Sequence, residues 1–121
     1  MTYQDGDPLP VIQGHQADSK EEVWIAESLW QFNIPFYFQY NVAGGLRVRR
    51  GMIVDFMLTH PKLHPFEFYG DYWHEAEMSG EDLIRMKALE QEFGVKPYIM
   101  WGNEAPDKLA VVQWVKKNIV K

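Results

Sequence analysis

Cysteine is absent from this 121-residue chain, which excludes a disulfide framework and any zinc site built on thiolates. The redox compartment stays open, because a chain without thiols folds in either environment. No apolar run approaches the roughly 20 residues a membrane span needs, and residues 1–10 do not read as a secretory signal. A soluble intracellular protein with no membrane partner is the expectation. Positive charge is short as well: 12 Lys and Arg stand against 17 Asp and Glu, a formal net charge of −5. That excludes a general polybasic coat for nucleic acid but not a local cluster of arginines. Internal repeats and low-complexity tracts are also missing.

What is present suits a folded protein, with 46% hydrophobic and 15% aromatic residues and a length that fits one core. Residues 1–17 carry Gly6, Pro8, Pro10 and Gly14 without periodicity, so 1–18 reads as an extended or flexible arm before a single domain over 19–121. Ser19, with Glu22 three residues on, matches a capping box and opens a helix over 19–32. Asn33-Ile34-Pro35 ends it. Aromatic residues from Phe36 to Tyr40 mark a strand over 35–42. Gly44-Gly45 then supplies a tight turn into a return strand over 46–58, and a third strand covers 65–69. A second helix over 79–93 presents Leu83, Met86, Leu89 and Phe93 inward and stops at Gly94. A strand over 95–101, with Pro97 loosening its start, leads to a last helix. There Pro106 lies near the first position and Leu109, Val112, Val115 and Ile119 face inward. This order of helix, three strands, helix, strand and helix predicts an α/β (α+β) fold, a small mixed sheet flanked by helices.

Residues 51–74, GMIVDFMLTHPKLHPFEFYGDYWH, pose the chemical question. Asp55 lies in one apolar run and Glu67 in the next, and an ionised carboxylate in an apolar strand is costly unless paired or metal-bound. Strand parity lets the two point to the same side. Converging carboxylates and carbonyls suit Mg²⁺ or Mn²⁺, which prefer hard anionic oxygens. Such an ion could bind a scissile phosphate and lower the pKa of an attacking water. Glu22, on the first helix, could reach the same place and orient that water. Arg47 and Arg49 share one face of the hairpin and, with Arg50, offer contacts to a phosphate backbone, although a solvated hairpin edge explains them nearly as well.

An αβββαβ order with Val54-Asp55-Phe56 on the second strand and an acid on the third resembles the PD-(D/E)XK nuclease superfamily and its restriction-endonuclease-like core. Residues 68–74, Phe-Tyr-Gly-Asp-Tyr-Trp-His, are similar to the x-x-H-G-C-F-W-H segment of the very-short-patch-repair (Vsr-like) endonucleases. The helix start Ser19-Lys20-Glu21-Glu22, Phe38-Gln39, Gly44-Gly45 and the later Glu81-Asp82, Arg85, Leu89 and Gly94 look like small stand-alone members, many of them carried by phages. The resemblance covers roughly residues 19–104, and the ordered spacing is more specific than any one piece. It implies a Mg²⁺-dependent endodeoxyribonuclease acting on DNA in the cytoplasm, in a bacterial host if phage-encoded. It also implies metal ligation by Asp55, Glu67 and the Phe68 carbonyl, proton transfer by His74, and a first-helix glutamate at Glu22. Two departures stand out. Tyr69 occupies the superfamily's lysine position, leaving charge stabilisation to Arg85, Lys87 or His74, and Asp71 replaces the cysteine of the repair enzymes.

Each functional assignment has a plainer counterpart. The capping box explains Glu22 without catalysis, and His74 could be an inert histidine at a strand end. His60 and His64 read as ordinary turn histidines, and Tyr72 and Trp73 as packing residues rather than base-stacking ones. The lost lysine motivates the rival reading, a nuclease-like fold without chemistry that binds DNA or protein. A third reading makes the aromatic segment 36–40 an assembly interface. Substrate structure and the choice between monomer and homodimer stay open.

Overall fold

Ser19 fixes where the first helix begins. Its Oγ accepts the Glu22 N–H at 3.2 Å, the first arm of the capping box, while Glu22 Oε1 reaches one residue further back and accepts the Asp18 N–H at 3.0 Å instead of that of Ser19. The computed structural model describes residues 2–42 and 52–120. Helix α1 spans Lys20–Gln31, and the main strands are β3 (Phe36–Val42), β4 (Met52–Leu58), β5 (His64–Tyr69) and β6 (Tyr98–Trp101), after a short hairpin of β1 (Val11–Ile12) and β2 (His15–Gln16). Helix α2 covers Gly80–Phe93 and α3 covers Lys108–Asn118. The result is a mixed α/β fold whose four-stranded sheet, ordered β3-β4-β5-β6, is flanked by helices. Strands β3, β4 and β5 pair antiparallel, and β6 joins β5 in parallel, which requires the long α2 crossover. Among the described residues, no helix is long and apolar enough to cross a membrane. Gly44, Gly45, Arg47, Arg49, Arg50 and Gly51 lie outside the described residues.

The core follows from strand register. Phe38 sits opposite Phe56, and Phe56 opposite Phe66. A line of rings then runs Trp30, Phe36, Phe56, Phe66, Trp114, with successive centroids 5.8, 5.7, 5.6 and 5.2 Å apart, spacings at which aromatic pairs attract. Helix α1 adds Val23, Ile25, Ala26 and Leu29, and α3 adds Val111 and Val115. A smaller cluster gathers Val42, Met52, Val54 and Met57 around Leu89 of α2.

Three details differ from the sequence reading. Leu109 is 66% exposed, and Val111 takes the inward place beside Val115. The phase of α3 is set by Trp114, whose ring stacks on Phe66 and whose Nε1 donates to Glu104 at 3.1 Å. Pro106 precedes the N-cap Asp107 instead of opening the helix. Strand β6 begins only at Tyr98, directly after the proline that lacks an N–H.

The first residues are tied to the body. Ile12 and Ala17 are buried in the main core, and Tyr3 N–H donates to Glu27 Oε2 at 2.6 Å. Gln13, at the hairpin turn, donates its Nε2 to the Phe36 carbonyl at 2.9 Å and accepts the Phe38 N–H at 2.7 Å. On the other side of the molecule the turns after β5 and β6 touch. Gly102 N–H donates to the Tyr72 carbonyl at 2.8 Å, and a Cβ at Gly102 would overlap the Gly70 carbonyl oxygen.

Candidate functional site

The ladder between β4 and β5 runs from Leu58–His64 to Phe56–Phe66. One further step of the same register brings Asp55 opposite Glu67, and there side chains take over the pairing. Asp55 N–H donates to Glu67 Oε2 at 3.0 Å, and Phe68 N–H donates to Asp55 Oδ2 at 2.8 Å. Each carboxylate thus holds the backbone of the opposite strand. Alternation along β5 sends Phe66 to the aromatic core and turns Glu67 and Tyr69 to the other face.

Glu67 is fully buried, and Asp55 is half-buried. Arg85 reaches them from α2: its Nη2 lies 2.9 Å from Glu67 Oε1 and also donates to the Ile53 carbonyl. The contact with Oε1 is one of charge only. Among the described residues that oxygen has no aligned hydrogen bond.

Three acids retain their protons more strongly than usual. Burial, followed by the charge of Asp55, holds Glu67 well above the carboxylate range, with Arg85 opposing. Burial also raises Asp55, against the Phe68 N–H, Glu67 and Arg85. Glu22 is pushed up to about 7 by burial and then by the charges of Asp55, Asp18 and Glu21, while its bond to the Asp18 N–H pulls it down. The α1 glutamate therefore lies within the field of the strand pair. Acids that repel and keep protons are groups a divalent cation would relieve.

The other sequence candidates fall as follows. Phe68 gives its N–H to Asp55, so β5 presents its backbone at the acid pair. His74 N-caps the short 3₁₀ turn Glu75–Glu77 and is exposed, its Nε2 3.9 Å from Glu77 Oε1. No bond joins it to Asp55 or Glu67 among the described residues. Tyr72 donates its hydroxyl to Asp82 Oδ2 at 2.6 Å, whereas Trp73 is 65% exposed. His64 stacks on Tyr98 at 4.0 Å, with Nε2 3.0 Å from the Lys96 carbonyl, a packing role. Lys87 and Asp71 are exposed. Among the described residues, no three histidine or acidic side chains form a group that could hold a metal ion.

Two features escaped sequence reasoning. Arg85 is the counter-charge of Glu67, a pairing that depends on which face of α2 lands on β5. Tyr69 is buried with a hydroxyl that has no hydrogen-bond partner among the described residues. Its parity with Glu67 was the available signal.

Comparison with family models, curated proteins and solved structures finds no match to this chain.

Proposed function

We propose that this protein is a metal-dependent DNA endonuclease or nickase of the PD-(D/E)XK kind, hydrolysing phosphodiester bonds with an activated water. One observation carries the reading: Asp55 and Glu67 meet where the β4–β5 ladder ends, both raised in pKa and one with a buried oxygen lacking an aligned donor. That donor chemistry fits Mg²⁺ or Mn²⁺, with Asp55, Glu67 and the Phe68 carbonyl as the holding atoms. Two acidic side chains rather than three leave the remaining positions to carbonyl and water. Bound there, the ion would supply positive charge for a scissile phosphate and acidify a water.

The chain's own groups have separate tasks. Glu22, titrating at about 7, suits accepting a proton from water near neutral pH. Arg85, which faces Glu67, supplies fixed positive charge where the lysine of the resembling family is missing. His74 is the proton donor to the leaving oxygen in this scheme, and its exposure requires that the substrate bring the reacting bond toward it. Arg47, Arg49 and Arg50 are assigned to the DNA backbone.

The test is plasmid nicking in Mg²⁺ or Mn²⁺. Wild type should nick, and Asp55→Ala and Glu67→Ala should lose the activity by 100-fold or more, roughly the scale of losing metal-assisted catalysis. Equal activity in all three proteins would remove the site.

The rival reading, a nuclease fold without chemistry that binds DNA or protein, has an observation of its own. Arg85 already lies against Glu67, and both acids spend oxygens on backbone N–H groups. It requires binding insensitive to EDTA and no cleavage with any divalent ion.

A further inference from the structure

Tyr69 ends β5 with its ring inside the fold. The side chain is 8% exposed, and its hydroxyl is buried without a hydrogen-bond partner among the described residues. The surroundings explain the ring: Trp101 lies 5.9 Å away and Tyr72 6.4 Å away, centroid to centroid. Phenylalanine would make the same contacts. They do not explain the oxygen, since a buried hydroxyl left unpaired is destabilising and rare in native folds.

The position of that oxygen narrows what could satisfy it. Tyr69 follows Glu67 by two residues on one strand, so both side chains leave the same face. The charges of Glu67, Arg85, Asp55 and Asp82 all act on the phenol, which puts it in the field of the acid pair and its arginine. Of the neighbouring carboxylate oxygens, three are engaged in hydrogen bonds, and Glu67 Oε1 has only its charge contact with Arg85. Asp55 holds the Phe68 N–H, Glu67 holds the Asp55 N–H, and Asp82 takes the Tyr72 hydroxyl. Tyrosine also accompanies a cation there, because Arg85 faces the same pocket of charge.

We propose that the Tyr69 hydroxyl is a ligand-facing hydrogen-bond donor, directed at an anionic oxygen of a phosphodiester seated beside Asp55 and Glu67. The choice of a phosphodiester rests on the function proposed above; the unmet donor itself does not. A neutral phenol suits this place, since it binds an anionic oxygen without adding a second buried charge. A hydrogen bond to a charged acceptor is also stronger than one between neutral groups.

Tyr69→Phe tests the assignment, because it removes one oxygen and keeps the ring. Two readings are needed: thermal unfolding, and anisotropy of a fluorescein-labelled DNA duplex, in Ca²⁺ to hold back cleavage and in EDTA. If the hydroxyl serves a ligand, the variant melts no lower than wild type and binds the duplex roughly tenfold or more weakly. A melting point several degrees lower would show that the hydroxyl has an acceptor within the fold and would overturn the proposal. So would binding equal to wild type, or a wild-type protein that fails to bind the duplex in either condition. Weaker binding of Tyr69→Phe that persists in EDTA and in an Asp55→Asn background supports the donor and rejects the metal. Metal-dependent nicking with unchanged duplex binding by Tyr69→Phe rejects the donor and leaves the metal.

Discussion

Glu22 has a part in the start of α1 and, in the proposed scheme, a part in proton transfer. Its Oε1 holds the Asp18 N–H just ahead of α1, and burial with nearby negative charge moves its titration from the ordinary 4.5 to about 7. Between those two values the folded chain holds a proton that the unfolded chain has released. Stability from this group is therefore whole below about pH 4.5 and is lost as pH rises through about 7. Asp55 and Glu67 are shifted in the same direction. Wild type should lose on the order of 2 kcal/mol through Glu22 between about pH 5 and about pH 8. Urea unfolding of Glu22→Gln should show a shallower pH slope, and an unchanged slope would mean that the glutamate is charged in the fold. Asp55 and Glu67 were legible in the sequence because each interrupts an apolar run with a charge. Arg85 as the partner of Glu67, and Tyr69 as an unpaired donor, were not. Both are relations between residues distant in sequence or facing inward, which a linear pattern does not display.

Among the elements, those with local chemical signals were read most closely. Ser19, Ser79 and Asp107 each accept a backbone N–H at a helix start, from Glu22, Asp82 and Ala110. Gly94 ends α2 with φ of 70°, a left-handed conformation that favours glycine. Ser19→Ala should lower stability by about 1 kcal/mol, measured by urea unfolding. The same change should loosen the start of α1 and weaken any activity that depends on Glu22. A drop in stability with activity untouched would separate Glu22 from the site. The β1–β2 hairpin was not legible, because two-residue strands have no periodicity and its fixing contacts come from a glutamine side chain. The phase of α3 was misjudged because both Leu109-Val112 and Val111-Val115 fit helical spacing. Only the sheet, through Phe66 and Trp114, chooses between them.

At the scale of the whole molecule, the order of elements carried the architecture. Three strands before a helix and one after it leave β6 to pair in parallel, and it does so beside β5. The site lies at the end of that pairing logic, where β4 and β5 exchange ladder bonds for carboxylates. The sheet nevertheless has an open side. Strand β3 lies at its margin, and an unpaired margin can recruit another chain. Gln13 occupies that place: its carboxamide gives one bond to Phe36 and receives one from Phe38, as a residue of a fifth strand would. The glutamine thereby covers two backbone groups of β3 that another strand would need. Gln13→Ala should leave the chain folded while raising concentration-dependent association above that of wild type in analytical ultracentrifugation. A variant that associates no more than wild type would show that covering these two groups does not limit association.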